Sequence, residues 1–347
     1  MELDARKLQI LRAVIDEYIL SAAPVGSRSV SKRSGLNLSS ATIRNEMADL
    51  EEMGYLEQPH TSAGRIPSDR GYRVYVDGLM HRSNLTEDEI GFIRSHYSRR
   101  IGELEAVMQQ TAAALSEATQ YTAVVMRPEL NFSRLKHMQL VPLAEGRALL
   151  VVVTDTGYSK DCIVSVPERF TPMQLEQLSH LLTERLSGVR MDRVPELLKT
   201  ELSGIFAERQ EFLSSVIASL EQEMASKSGK VTLSGATKML HYPEYSDVTK
   251  ARTFLAAVEG RDNLYGMLKK ASPLEFTFTI GSENELEPLQ DCSVVTATYR
   301  IGGMPVGTMG VIGPTRMNYG KVVSVLEFMS RSLSEILSNY IEEDEKP

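Results

Sequence analysis

The stretch SSATIRNEM, residues 39–47, places two serines directly before a helical pattern that carries an arginine and an asparagine. Either serine can accept a hydrogen bond from the first helical turn and so cap the helix. Ile43, Met47 and Leu50 recur at spacings of four and three residues, which predicts one buried face. Gly54 supplies the left-handed position that commonly ends a helix. The predicted helix therefore buries one side and exposes small and polar residues near its N-terminus.

The segments on either side of this helix predict further helices and a hairpin. Residues 4–19 carry apolar residues on one helical face, and residues 26–35 have the pattern of a short helix that Ser27 caps. A short turn containing glycine joins this helix to the one over 40–53, and strand-forming residues flank the turn-rich segment 59–64. Three helices with a short turn before the third, followed by a hairpin wing, predict a winged helix-turn-helix.

Positive charge is concentrated at two places in this N-terminal region. Residues 26–45 contain four basic residues and no acidic residue, and residues 60–73 contain three arginines against one aspartate. The whole chain has a net charge of −8, so it is not a general nucleic-acid coat. Since phosphate contacts supply most of the non-specific affinity for DNA, one local basic face matters more than the total charge. We therefore expect DNA to meet one oriented face of the N-terminal region.

Three stretches of the chain resemble one known family in the order in which they occur. They are SSATIRNEMADLEEMGYLEQPHTSAGRIPSDRGYRVYVD at 39–77, LSGATKMLHYPEYSD at 233–247 and MGVIGPTRMNYGKVVSVLEF at 309–328. Together they resemble the HrcA family, the heat-inducible transcription repressors of bacteria. A generic winged helix would not account for the two later stretches, so the resemblance is specific.

The domain organisation combines patterning with this resemblance. Strand-like segments begin near residue 120, stop near 190 and resume near 272, which indicates a domain with an interruption. The resemblance implies that this domain is GAF-like and that the interruption is an inserted dimerisation domain. We therefore predict a multidomain α+β protein. Its parts are a winged helix-turn-helix over 1–82, linker helices over 83–119, a GAF-like domain over 120–190 and 269–341, and a mostly helical insert over 191–268.

The predicted DNA contacts follow from the chemistry of the exposed side chains. Arginine suits guanine and asparagine suits adenine in the major groove, whereas serine hydroxyls and a helix N-terminus suit phosphate. Any single arginine here can contact a phosphate instead of a base, and both interpretations stay open. The predicted set is Arg28, Lys32 and Arg33 on the backbone, Ser39 and Ser40 on phosphate, Thr42, Arg44 and Asn45 near the bases, and His60, Thr61, Ser62 and Arg65 on the wing.

The resemblance implies the target and the partners. It implies repression of class I heat-shock (chaperone) operons through an inverted-repeat operator, with release on heat shock. A homodimer matches the two-fold symmetry of such an operator. The resemblance also implies that the GroE chaperonin modulates the repressor. No cofactor is expected.

The sequence leaves three alternatives open. The heptad-like spacing over 101–118 can pair two chains or pack on the core of its own chain. The chain can be a ligand-responsive regulator, with a small-molecule site lined by 155–160 and the strands over 302–313. It can also be a winged module that contacts only other proteins.

The remaining composition excludes several other classes. The hydrophobic fraction is 42% and the charged fraction is 24%, as in globular proteins. Cys162 and Cys292 are isolated, the six histidines show no paired metal-ligand spacing, and no segment carries a catalytic motif. The N-terminus MELDARKLQI carries charges where a signal peptide needs an apolar core, and no apolar run approaches about 18 residues. We expect a cytoplasmic protein that is neither an enzyme nor a membrane protein.

Overall fold

The computed structural model describes residues 3–33, 38–60, 63–96, 104–128, 133–144, 146–155, 159–167, 170–200, 210–225, 231–271, 274–301 and 303–344. The helices are α1 (Ala5–Ser21), α2 (Ser27–Arg33), α3 (Ser40–Glu52), α4 (Asp69–Val74), α5 (Glu87–His96), α6 (Leu104–Thr119), α7 (Pro172–Leu186), α8 (Val194–Thr200), α9 (Gln210–Ala225), α10 (Val248–Glu259), α11 (Arg261–Ala271) and α12 (Tyr319–Asp344). The strands are β1 (Leu56–Glu57), β2 (Ile66–Pro67), β3 (Thr122–Met126), β4 (Leu135–Ala144), β5 (Arg147–Thr154), β6 (Ser159–Ser165), β7 (Val231–Ser234), β8 (Phe276–Ile280), β9 (Cys292–Ile301) and β10 (Met304–Pro314). The architecture is therefore mixed α+β.

The N-terminal unit consists of α1 to α4 and the antiparallel pair β1–β2. Local capping fixes where its helices begin: the side chains of Asp4, Ser39 and Ser68 accept backbone hydrogen bonds from the first turns of α1, α3 and α4. Helix α3 buries Ile43, Met47 and Leu50, the predicted apolar face. Neighbouring residues therefore determine where the helices of this unit start and which face of α3 is buried.

A five-stranded antiparallel sheet with the order β7-β3-β10-β9-β8 forms the centre of the molecule. Helices α6 and α12 pack on one face, and their core is continuous with that of the N-terminal unit. Helices α10 and α11 cover the other face with a separate core. The continuity of the first core means that the N-terminal unit is packed on the sheet.

A second sheet, β4-β5-β6, lies between β3 and β7 in the chain and has its own core with α7, α8 and α9. The chain leaves the central sheet after Met126 and returns to it at Val231. The predicted interruption over 191–268 is therefore wrong in its bounds: 133–190 belongs with the interrupting unit, and β7, α10 and α11 belong with the central sheet. Periodicity identifies a strand but does not say which sheet it joins.

Helix α6 answers one of the open questions about 101–118. Its residues Leu104, Met108, Thr111 and Leu115 are buried against β3 and α12 of the same chain. Ile101, the first residue of the predicted seam, lies outside the described residues. The described part of the seam therefore packs on the chain's own core and is not free to pair two chains.

Candidate nucleic-acid interface

The N-terminal end of α3 is held open to solvent by its cap. Ser39 Oγ accepts a hydrogen bond from the backbone N–H of Thr42 at 3.1 Å and lies 2.9 Å from Thr42 Oγ1. Ser39 is exposed, whereas Ser40 and Thr42 are half-buried. Helix N-termini carry partial positive charge and point their N–H groups outward. This end of α3 therefore presents hydroxyls and a positive dipole to any anion that approaches.

Arg44 and Asn45 lie one turn further along the same exposed side. Both are exposed, together with Ala41 and Ala48, which leave the space around them uncrowded. Neither side chain makes a hydrogen bond or ion pair with any residue that the structure describes. Their donors are thus available to another molecule.

Two acidic residues of α3, Glu46 and Asp49, are by contrast engaged within the N-terminal unit. Lys7 Nζ of α1 lies 2.6 Å from Glu46 Oε2 and 2.8 Å from Asp49 Oδ2. Hydrogen bonds to Asp49 and Glu46 raise the pKa of Lys7, so the ammonium stays charged at neutral pH. These ion pairs reduce the negative field beside Arg44 and Asn45, which would otherwise oppose phosphate binding.

Helix α2 adds further positive charge. Arg28 and Lys32 are exposed and make no ion pair with described residues. The backbone of Arg33 ends α2, but its side chain lies outside the described residues. Helix α2 packs against α3, so its free charges and those of α3 belong to one unit.

The hairpin residues occupy different positions. His60 is exposed next to the turn, and Thr61 and Ser62 lie outside the described residues. Arg65 is instead at the base of the hairpin, where its backbone pairs with Val25. Its guanidinium makes two contacts of 2.7 Å with Glu51 Oε2, and 20% of its side chain is exposed. Arg65 therefore links the hairpin to α3.

Sequence reasoning missed Lys7, which shields the interface from Glu46 and Asp49. Glu46 and Asp49 follow Lys7 by 39 and 42 residues, so no local sequence pattern predicts the contact. It also grouped Arg73 with the basic segment 60–73, although Arg73 contacts Phe278 and Glu283 of the central sheet region.

The two segments predicted to line a small-molecule site do not belong to one sheet. Asp155 directly follows β5, Lys160 lies on β6, and residues 156–158 lie outside the described residues, whereas the glycine-rich strand β10 belongs to the central sheet. The two segments therefore lie in separate sheets with separate cores. On β10, a Cβ at Gly307 would lie 2.2 Å from Tyr299 Oη, so that glycine admits a tyrosine ring and leaves no room for a ligand.

The exposed arginine and asparagine of α3 and the basic residues of α2 are the kinds of side chain by which regulators of transcription contact DNA. The model of the HrcA protein C terminal domain family matches residues 105–323. Two relatives called heat-inducible transcription repressor HrcA, from Brevibacillus brevis and Acetivibrio thermocellus, are 42% and 43% identical to this chain. The alignments cover 98% and 99% of this chain and 99% of each relative. The chain belongs to the HrcA family of heat-inducible transcription repressors.

This membership confirms the predicted function class, a transcription repressor and not an enzyme. A solved structure of a hypothetical protein matches with a TM-score of 0.64 and 24% identity. The match covers 98% of this chain and 100% of the other chain, so the two proteins share an overall fold. Within the described residues, no helix has the length and apolar character needed to cross a membrane.

Proposed function

We propose that this chain represses class I heat-shock (chaperone) operons by binding an inverted-repeat operator as a homodimer. In this proposal the N-terminal unit is a winged helix-turn-helix, and α3 enters the major groove. The observation that carries it is the asymmetry of α3: Arg44 and Asn45 are exposed and unpaired among the described residues, while Glu46 and Asp49 are paired with Lys7. This arrangement leaves donors free near the N-terminus of α3 and neutralises the two nearest acids, which favours the approach of a phosphate.

Each predicted contact has a role in this complex. Arg44 suits the O6 and N7 acceptors of guanine, and Asn45 suits adenine. Ser39, Ser40 and the N-terminus of α3 hold a phosphate, with Thr42 beside them. The backbone of each half-site is held by Arg28, Lys32 and Arg33 and, at the hairpin, by His60, Thr61 and Ser62. Since Arg65 is paired with Glu51, we assign it a supporting role behind the hairpin.

We further propose that two chains associate through the outer face of the β4-β5-β6 sheet. Val141, Leu149 and Ile163 lie in one row across the three strands, and Val141 and Ile163 are 39% and 58% exposed. Both outer strands are hydrogen bonded by neighbouring helices: Ser179 of α7 accepts from Leu140 N, and Ser215 of α9 accepts from Ser165 N. The helices therefore block strand addition at these positions, and the apolar face stays available for a second copy.

A charge on that face tests the dimer. We expect Ile163→Lys to shift the protein from dimer to monomer in sedimentation velocity, because it would bury an unpaired ammonium between two sheets. Val248→Lys is the matched control, since Val248 is 80% exposed and lies on α10, which packs on the central sheet. Equal dissociation of both variants, or of neither, would contradict this choice of face.

Two further parts of the proposal, release by heat shock and modulation by a chaperonin, are based on the family alone. The relatives are called heat-inducible, and we propose that heat shock releases this chain from its operator. We also propose, from the resemblance, that the GroE chaperonin modulates how much of the chain is competent to bind. Both steps belong in the cytoplasm, where the operator is.

The deciding experiment is a salt-titrated binding assay on full-length protein. One duplex carries the inverted repeat from its own chaperone promoter, the other a scrambled repeat, and chaperonin is added to half of the samples. Tight binding to the repeat alone, with two chains per site and a steep salt dependence, is the expected result. Equal and weak binding to both duplexes, with and without chaperonin, would overturn the proposal.

A further inference from the structure

The start of α4 is bonded to the loop between β8 and β9, more than two hundred residues away in the chain. Asp69, the first residue of α4, accepts hydrogen bonds from the backbone N–H and the hydroxyl of Ser282, both at 2.8 Å. Arg73, one turn later, donates to Glu283 Oε1 and to the carbonyl of Phe278, also at 2.8 Å. We call these four side chains, Asp69, Arg73, Ser282 and Glu283, the α4 junction.

The loop that receives α4 is held in shape from within. The buried side-chain amide of Asn284 donates to the carbonyls of Gly281, Leu289 and Cys292 at 2.9–3.0 Å. Gly281 has φ +52°, and a Cβ there would lie 2.1 Å from Asp69 Oδ1. Only glycine permits both this conformation and this approach. The junction therefore joins α4 to a loop whose geometry is already set.

Apolar packing and a second polar contact accompany the junction. The ring of Tyr319 on α12 lies 5.9 Å from that of Tyr72 and 6.5 Å from that of Phe278, centroid to centroid. Arg316, just before α12, donates to the carbonyl of Ile19 in α1 at 3.4 Å and pairs with Glu244. Contacts at α1 and at α4 hold the N-terminal unit at two separate points, which fixes its rotation as well as its position.

We infer that the α4 junction is a specificity determinant: it sets the spacing between operator half-sites that the dimer accepts. This inference rests on the proposed function, a dimer on an inverted repeat. Because the proposed dimer face lies on the β4-β5-β6 unit, the distance and rotation between the two α3 helices depend on how firmly each N-terminal unit is held on the central sheet. Each added base pair moves a half-site by about 3.4 Å and about 35°. A fixed pair of helices should therefore reject altered spacings, and a loosened pair should accept them.

The test measures affinity for inverted repeats whose central spacer is changed by one, two and five base pairs, and for a single half-site. The junction variant is Asp69→Asn with Arg73→Gln, which removes two charges that contact the loop. Its matched control is Arg70→Gln, because Arg70 is on the same helix but donates to Met53 within the N-terminal unit. A milder variant, Ser282→Ala, keeps the backbone bond to Asp69 and is used if the double variant does not fold.

Wild type and Arg70→Gln are expected to prefer the natural spacing over the half-turn insertion by about tenfold or more, since twisting DNA to fit is costly. The junction variant should reduce that preference to about threefold or less and leave half-site affinity unchanged, because α3 is untouched. An unchanged preference in the junction variant would overturn the inference alone. Wild type that shows no preference for the repeat over a scrambled duplex would overturn the proposed function itself.

Discussion

The N-terminal unit has two polar surfaces that a count of charges does not distinguish. On one, Arg28, Lys32 and Arg44 are exposed and have no partner among the described residues. On the other, Asp69 and Arg73 are bonded to the β8–β9 loop. The sequence showed both as parts of basic segments. The difference teaches that the partner of a charge, and not its sign alone, separates a surface that binds from a surface that positions.

The energies of the two surfaces differ in kind. The side chains of Arg73 and Glu283 are 31% and 36% exposed, and such solvent-accessible pairs contribute only about 0–1 kcal/mol to stability. The aromatic packing under the junction contributes more, because each buried ring removes a large apolar area from water. Packing therefore stabilises the contact between the N-terminal unit and the central sheet, and the junction ion pair sets the orientation of α4 in that contact. In the proposed complex, the charge of Arg44 contributes only when DNA supplies its partner.

The largest effect is expected at the binding surface. Arg44→Ala should weaken binding to the cognate repeat by about 1–3 kcal/mol if the guanidinium reads a base. The measurement is a titration of wild type and variant on cognate and scrambled duplexes at one salt concentration. Thermal unfolding should be unchanged, since Arg44 has no described partner to lose. An equal loss on both duplexes would show that Arg44 contacts only phosphate.

The next effect concerns the positioning surface and has the opposite sign. The hydroxyl of Tyr72 is buried and has no hydrogen-bond partner among the described residues, and burial raises the pKa of Tyr72 well above its ordinary value. An unsatisfied buried hydroxyl costs about 1–3 kcal/mol. Tyr72→Phe should therefore stabilise the junction and raise the melting temperature by about 2–4 °C per kcal/mol gained.

Tyr319→Phe is the matched control for that change. Its hydroxyl lies in the same aromatic cluster but donates to the carbonyl of Thr315 at 2.6 Å and lies 2.7 Å from Ser293 Oγ. Its removal should lower the melting temperature. A lower melting temperature for Tyr72→Phe as well would mean that the Tyr72 hydroxyl has a partner, and the two hydroxyls would no longer differ.

Arg65, which links the hairpin to α3, offers a smaller test. Arg65→Ala should lower stability by about 0.5–1 kcal/mol through loss of the Glu51 pair, and weaken DNA binding less than Arg44→Ala does. Glu51→Gln breaks the same pair but removes a negative charge, so it should not weaken DNA binding. Thermal melts and duplex titrations of both variants provide the comparison. If Arg65→Ala costs as much affinity as Arg44→Ala, its guanidinium leaves Glu51 to bind DNA.

The local part of the fold could be predicted because its causes are local. The cap at Ser39 and the left-handed Gly54 (φ 78°) that follows α3 each depend on residues within one turn, and both are present. The apolar face of α3 follows from its spacing for the same reason. The exposure of Arg44 then follows, since it lies away from that face.

The non-local part could not be predicted in the same way. Strand β3 pairs with β7, which begins more than one hundred residues later, and no feature of either strand names the other. The partners of Lys7, Arg65 and Arg73 are likewise distant or on another element. Charge counts therefore found the basic region but did not separate free charges from paired ones.

The smallest effect is expected at Lys32. An ammonium that contacts only phosphate releases about one counterion, so Lys32→Ala should lower the slope of log K against log salt by about one unit. The loss should be the same on cognate and scrambled duplexes, unlike that of Arg44→Ala. Lys199→Ala is the control: Lys199 lies on α8 and pairs with Glu221, so its removal should leave the slope unchanged. If Lys32→Ala also leaves the slope unchanged, the Lys32 ammonium does not contact a phosphate in the complex. The lack of a partner within the described residues would then not be enough to identify the DNA-binding surface.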